Sequence, residues 1–336
     1  MKTLESSIFP KFHHISYTNH IINSTNLIPL SSSKKWAPAA HITAAADPKK
    51  VVVIMGPTGC GKTKLSIDLA SKAFPSSEII NSDKIQVYKG LDITTNKVPF
   101  SERNNVPHHL LGEFESSESH PEFTPSDFRS SASQTISRIV SNGKLPFIAG
   151  GSNSFVYALL AKQFNPDSNV FGELNPDFCT ELQYECCFLW VDVSFPVLND
   201  YIFKRVDDML ELGMFEELCK YFEDFGPGPV EDFGLNKAIG VPEFERYFRG
   251  TASYDEAVRE VKDNTWELVK RQVGKIRRLR EEAGWEMNRV NTTGALKAKV
   301  AGVGRREAAE IWEREVLRPS VEVVKRFLAR SPNGST

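Results

Sequence analysis

The chain lacks most of the features that send a protein toward a bilayer, a nucleic acid or an oxidising compartment. No apolar run among its 336 residues reaches the roughly 20 needed to span a membrane, so no membrane partner is expected. Positive charge is not in excess. Its 41 Lys and Arg stand against 43 Asp and Glu, a net charge of −2 that gives no global pull toward nucleic acid or anionic lipid. The few cysteines, Cys60, Cys179, Cys186, Cys187 and Cys219, show neither zinc spacing nor a C-x-x-C pair, which makes a reduced compartment the default. Arginine is missing from residues 1–47, where Glu5 is the only acid before Asp47 and Ser, Thr, His and Asn abound. That stretch reads as a leader outside the fold. Its acid-poor, hydroxyl-rich composition fits an organelle transit peptide, and the absence of arginine favours a plastid over a mitochondrion. An unstructured cytosolic tail has the same composition.

The whole chain is 40% hydrophobic and 25% charged, the balance of a soluble globular protein. Its organising stretch is Gly56-Pro57-Thr58-Gly59-Cys60-Gly61-Lys62-Thr63, preceded by the apolar run Val51–Met55 and followed by helical spacing over 64–72. A strand, a glycine-rich turn and a helix in that order form the context that the G-x-x-x-x-G-K-[ST] phosphate cradle requires. Glycines let backbone N–H groups approach phosphate oxygens, Lys62 adds a point charge, and Thr63 offers a hydroxyl to a magnesium ion. The positive end of the following helix faces the same anion. A diphosphate-bearing ligand is therefore expected there. Cys60 reads as a small filler in the loop, since no base neighbours it in the sequence.

The strand pattern over 78–81 ends on Ser82 and Asp83, and carboxyl ends of strands line the ligand crevice of open α/β sheets. Asp83 is thus a candidate for that crevice, with a helix-capping role equally compatible with its position. His108 and His109 have no partner at metal-ligand spacing and read as structural. A helix is expected from 123–127 to about Val140, capped by Ser126 or Asp127, with Phe128, Ala132, Ile136 and Ile139 or Val140 on its buried face. Leu145–Ala149 reads as a buried strand ending in Gly150-Gly151-Ser152-Asn153, where the glycines permit close ligand approach and Ser152 and Asn153 can cap a helix or touch a ligand. That strand has no terminal Asp to organise magnesium, which counts against ordinary phosphoryl transfer. Asp192, closing the strand pattern 188–193, is the alternative carboxylate for a kinase.

Arg205, on a helix predicted over 198–212, is a candidate phosphate clamp or else a surface arginine. Lys237 lies in a turn before Gly240. The long helix predicted over 255–280 places Val258, Val261, Thr265, Val269, Val273 and Ile276 in a core, with Lys270, Arg271 and Lys275 among the cations left for a polyphosphate-facing wall or for solvent. The pattern 285–291 suggests a final strand. The resulting expectation is an α/β fold, a P-loop NTPase-like parallel sheet flanked by helices, with a small helical appendage. Its segments are a leader over 1–47, the P-loop core over 48–200, completing elements over 201–290 and a helical tail over 291–336.

These motifs together resemble the P-loop prenyltransferases that place a dimethylallyl group on N6 of adenine. The resemblance spans Val51 to Arg280. It rests on the phosphate loop, Asn81-Ser82-Asp83 with Gln86-Val87-Tyr88 and Gly90 to Thr95, Pro107-His108-His109-Leu110-Leu111, Asp127-Phe128-Arg129, Gly150-Gly151-Ser152 and Lys270-Arg271-Gln272. It implies that the loop, Gly56 to Thr63, grips dimethylallyl diphosphate rather than ATP, with Asp83 as general base, Arg205 and Lys62 at the leaving diphosphate, and magnesium near Thr63. Ser82, Ser152 and Asn153 would position the adenine nucleotide; Lys237, Lys270, Arg271 and Lys275 would read its phosphates. The tRNA-acting branch inserts a helical segment between the Gly-Gly-Ser helix and the arginine-bearing helix, and its eukaryotic members append a Cys/His zinc module. Neither pattern is found here, so the resemblance is to the branch acting on free adenine nucleotides, without nucleic acid, as an expected monomer. The alternatives are a tRNA dimethylallyltransferase or a P-loop small-molecule kinase.

Overall fold

The computed structural model describes residues 49–117, 119–172, 178–225 and 233–330; the expected leader over 1–47 lies outside them. Six parallel strands form one sheet: β1 (Lys50–Met55), β2 (Ser77–Asn81), β3 (His108–His109), β4 (Leu145–Ala149), β5 (Glu185–Asp192) and β6 (Met287–Asn291), in the spatial order β3-β2-β4-β1-β5-β6. Strand β1 pairs with β4 on one side and β5 on the other, Val53 lying opposite Ile148 and Phe188. Being central, it carries almost no polar side chain. Its alternating residues serve two cores. Val51, Val53 and Met55 pack on one face, Val52 and Ile54 on the other, each burial contributing roughly 1.5–3 kcal/mol.

The first face is covered by α2 (Pro125–Ser141) and α3 (Asn153–Leu160), with Phe128 stacked on Phe155 at 4.7 Å. Helix α2 buries Phe128, Ala132, Ile136 and Ile139, the stripe its spacing predicted. Its cap is Thr124, in a reciprocal pairing with Asp127, not Ser126 or Asp127 itself. The reason is Pro125, which fits only the first turn and so fixes the cap one residue earlier. The second face holds α1 (Lys62–Asp68), α4 (Phe195–Glu211) and the C-terminal helices α8 (Thr293–Val300), α9 (Arg305–Trp312) and α10 (Arg318–Ala329). Trp312, Val316, Leu317, Val324 and Phe327, from the helical stretch after β6, are buried in the same cluster as β1 and β5.

Helix α5 (Met214–Phe225) and helix α6 (Val241–Phe248) build a third, separate cluster with Leu91, Val206 and Met209. Helix α7 (Tyr254–Glu281), 28 residues and ~42 Å long at the helical rise, joins all three. Ala257 and Val261 lie in the third cluster, Val269 and Val273 in the second, Ile276 and Leu279 in the first. His109 sits on the edge strand between Glu78 (2.7 Å) and Arg138 (3.2 Å), which gives it a structural role.

Candidate functional site

The carboxyl ends of β1, β2 and β4 open into one crevice. At the end of β1 the chain turns through the phosphate loop; Gly61 takes φ 96°, a left-handed conformation that favours glycine, and its Cα faces the Trp312 ring. Lys62, 9% exposed, donates from Nζ to the Pro57 carbonyl at 2.7 Å. Thr63 is exposed on the first turn of α1, whose N–H groups have no intrahelical acceptor. Cys60 is buried, and burial pushes its thiol up against the lowering influence of Lys62, so it is a poor nucleophile.

At the end of β2, Asp83 does two things at once. Its Oδ1 accepts from the N–H groups of Ile85 (3.0 Å) and Gln86 (3.3 Å), capping the next turn. Its Oδ2 is directed to Gly151, close enough that a Cβ there would stand 3.3 Å away. The β4 end can come this near only because Gly150 has no side chain. A Cβ on Gly150 would lie 2.3 Å from the Ser82 carbonyl carbon and 2.6 Å from the Asp83 nitrogen. Ser82 itself is buried under Gly150, with its hydroxyl unpaired, and is not among the residues lining the cavity. Ser152 caps α3 through Phe155 N–H (3.3 Å), and Asn153 Nδ2 donates to the Gln272 carbonyl at 3.2 Å.

Between these ends and α7 lies a cavity of about 360 Å³, within the size range of ligand sites. Of the residues singled out from sequence, it gathers Thr58, Asp83, Ser152, Asn153, Arg205, Lys237, Arg271 and Lys275. Lys270 is turned away, exposed and paired with Glu267 one turn earlier on the solvent side of α7. Arg205, reaching in from α4, donates to Thr58 Oγ1 at 3.1 Å while its Nε is buried without a partner. Burial pushes its guanidinium down from the ordinary value, against Tyr201 and Asp83. Burial likewise lowers Lys275, with Arg271 and Lys84 adding repulsion. Lys84 and Lys237 share Glu122 Oε1 at 2.8 and 2.9 Å. Five cations, Lys84, Arg205, Lys237, Arg271 and Lys275, thus line the cavity.

The rest of the wall was not read from the sequence. Val206, Met209, Ile239, Val261 and Leu268 form an apolar flank. Thr94 is fixed by Glu217, which accepts from Ile93 N–H (3.0 Å), Thr94 N–H (2.7 Å) and the Thr94 hydroxyl (2.7 Å). Gln272, 7% exposed, accepts from Thr58 N–H at 2.7 Å and donates to the Gly151 carbonyl at 3.0 Å. One signal for it existed: a polar residue on the stripe of α7 otherwise buried as Val269, Val273 and Ile276.

Asp192 ends β5 but its carboxylate leans onto β6, where Arg289 donates through Nε at 2.6 Å. Among the described residues no three of His, Cys, Asp and Glu converge as a metal cage. Thr63, exposed on the first turn of α1, offers one hydroxyl oxygen, a hard donor of the kind magnesium takes.

A family model described as IPP transferase matches residues 86–177 and 166–279. The chain is 49% identical over 297 residues to adenylate isopentenyltransferase 1, chloroplastic, of Arabidopsis thaliana, covering 84% of this chain and 82% of that one. It is 49% identical over 298 residues to adenylate isopentenyltransferase of Humulus lupulus, covering 82% and 89%. Among solved structures it is similar to a eukaryotic dimethylallyltransferase acting on tRNA, with TM-score 0.69, 24% identity and 85% and 81% of the two chains covered, a likeness of fold.

Proposed function

The chain belongs to the IPP transferase family, and on that premise we propose that it moves a dimethylallyl group from dimethylallyl diphosphate to N6 of the adenine of a free nucleotide, AMP, ADP or ATP, releasing diphosphate. Such a product is a cytokinin nucleotide. The observation that carries the reading is Asp83 Oδ2, left over from the turn and set beside Gly151 in the same cavity as Thr58 and Arg205.

N6 is a weak nucleophile because its lone pair is delocalised into the ring. Asp83, accepting an N6–H proton, returns that density as the allylic C1–O bond breaks. The loop amides, Lys62 and Arg205 stabilise the charge that develops on the departing diphosphate. Thr63 would hold magnesium, whose chemistry at this point is charge neutralisation. The apolar flank of Val206, Met209, Val261 and Leu268 suits the five-carbon chain, and Lys237, Arg271 and Lys275 suit the nucleotide phosphates. A free nucleotide is favoured over RNA because, among the described residues, no helix stands between Leu160 and Phe195. Plastid localisation is supported by the arginine-free composition of residues 1–47 together with the chloroplastic name of the Arabidopsis relative.

Incubation with dimethylallyl diphosphate and AMP, ADP, ATP or an anticodon stem-loop, followed by mass measurement, tests this. A gain of one C5H8 unit on a free nucleotide is the expected result. Gain only on the stem-loop, or release of ADP without prenylated product, would overturn it.

A further inference from the structure

An enzyme that meets adenine nucleotides, ATP among them, yet whose donor site is a phosphate loop, faces a recognition problem: a triphosphate can seat in the donor's cradle. We infer that Gln272 solves it, by occupying the loop amide that a third phosphate would need. This inference rests on the loop being the diphosphate donor site.

The N–H of Thr58, at the third position of the loop, is already committed, and its hydroxyl oxygen is met by a cation. That N–H donates to Gln272 Oε1 at 2.7 Å, and the Oγ1 accepts from Arg205 at 3.1 Å. The Gln272 amide cannot turn freely, because Nε2 is engaged by the Gly151 carbonyl at 3.0 Å. Reversal would set an oxygen against that carbonyl and an NH2 against the Thr58 N–H. Its backbone is held as well, through Asn153 on α3. Deeper in the loop, the first-turn N–H groups of α1 remain without helical acceptors and are available to an anion. The Thr58 N–H is thus taken, while the first-turn N–H groups of α1 are not. A diphosphate can be held by those first-turn groups. A longer chain of phosphates must displace Gln272 from two hydrogen bonds, leaving buried polar groups unpaired.

The inference assigns Gln272 to donor-site selection rather than to chemistry. Its test is competition, with the full-length protein, between inorganic diphosphate and inorganic tripolyphosphate, read by displacement calorimetry and thus independent of turnover. Wild type and the variants Gln272→Met and Gln272→Ala are compared, with Tm recorded for each. The expected result is that wild type prefers diphosphate and that both variants bind tripolyphosphate in competition with diphosphate at least about tenfold more tightly than wild type. Diphosphate affinity should change less than about threefold. An unchanged preference in a variant that melts within a few degrees of wild type would overturn the inference. So would a wild-type protein that already seats tripolyphosphate in the loop as tightly as diphosphate. Failure of the proposed reaction itself would appear separately, as absence of prenylated nucleotide from the wild-type protein. If neither variant folds, Gln272→Asn serves: its amide is one methylene too short to reach Thr58, so an Asn variant that retains the wild-type preference refutes the assignment.

Discussion

Trp312 on α9 donates its indole N–H to Asp68 Oδ2 at 2.8 Å, across 244 residues of sequence, while the same ring backs Gly61 of the phosphate loop. The C-terminal helices thereby support the loop that begins the fold. Asp68 also accepts from Lys64 at 2.7 Å and pairs with Lys72 at 2.8 Å.

Asp68→Ala should destabilise the protein by about 1–3 kcal/mol, because it leaves the buried Trp312 N–H unpaired. Burial alone would push the Asp68 carboxyl up; hydrogen bonds and charge from Lys64 and Lys72 overcome that and hold it below its ordinary 3.8. A depressed folded-state value means the ionised group contributes stability above about pH 4, and that contribution is lost as pH falls through the folded value. Urea melts of wild type and Asp68→Asn should accordingly differ at pH 7 and converge toward pH 3. A gap that stays constant with pH would show that the charge is irrelevant.

Asp83→Asn keeps the acceptor that caps Ile85 and Gln86, so the turn should survive. The amide cannot take a proton from N6. Turnover should fall at least about a hundredfold while both Michaelis constants stay within a few fold, as measured by product mass over time. Near-normal turnover removes Asp83 from the role of base.

Arg205→Ala should weaken dimethylallyl diphosphate more than the nucleotide, since the guanidinium meets the loop at Thr58. Arg205→Lys should not restore it, because a lysine lacks the planar fork that holds Thr58 and an anion together. Equal weakening of both substrates in steady-state kinetics would place the arginine elsewhere in the reaction.

Gly150→Ala forces a Cβ to within 2.3 Å of the Ser82 backbone. Backbone cannot rotate aside as a side chain can, so β2 and β4 must separate at their carboxyl ends. Destabilisation of about 1–3 kcal/mol and loss of turnover well beyond that of a surface Gly304→Ala control are expected, with Gly304 chosen because its φ is −54° and nothing lies within 4 Å of its Cβ position. Thermal melts and product formation check both halves of this expectation.

The sequence alone determined the parts that depend on near neighbours. The phosphate loop, the alternation of β1, the stripes of α2 and α7 and the paired glycines after β4 are written in spacing of a few residues, because backbone geometry repeats over that range. It also determined the candidate ligand class, since a glycine-rich loop with Lys62 before a helix has little other chemical use. What only the tertiary structure decided lies across long separations. Gln272 reaching Thr58, Arg205 reaching Thr58, Trp312 reaching Asp68 and the five cations sharing one cavity are each a meeting of elements from distant parts of the chain. The tertiary fold also sent Lys270 to solvent and Asp192 to Arg289, though periodicity left both open to other roles. Local spacing fixes which face of an element is apolar; which partner that face meets follows only from packing all the elements around one sheet.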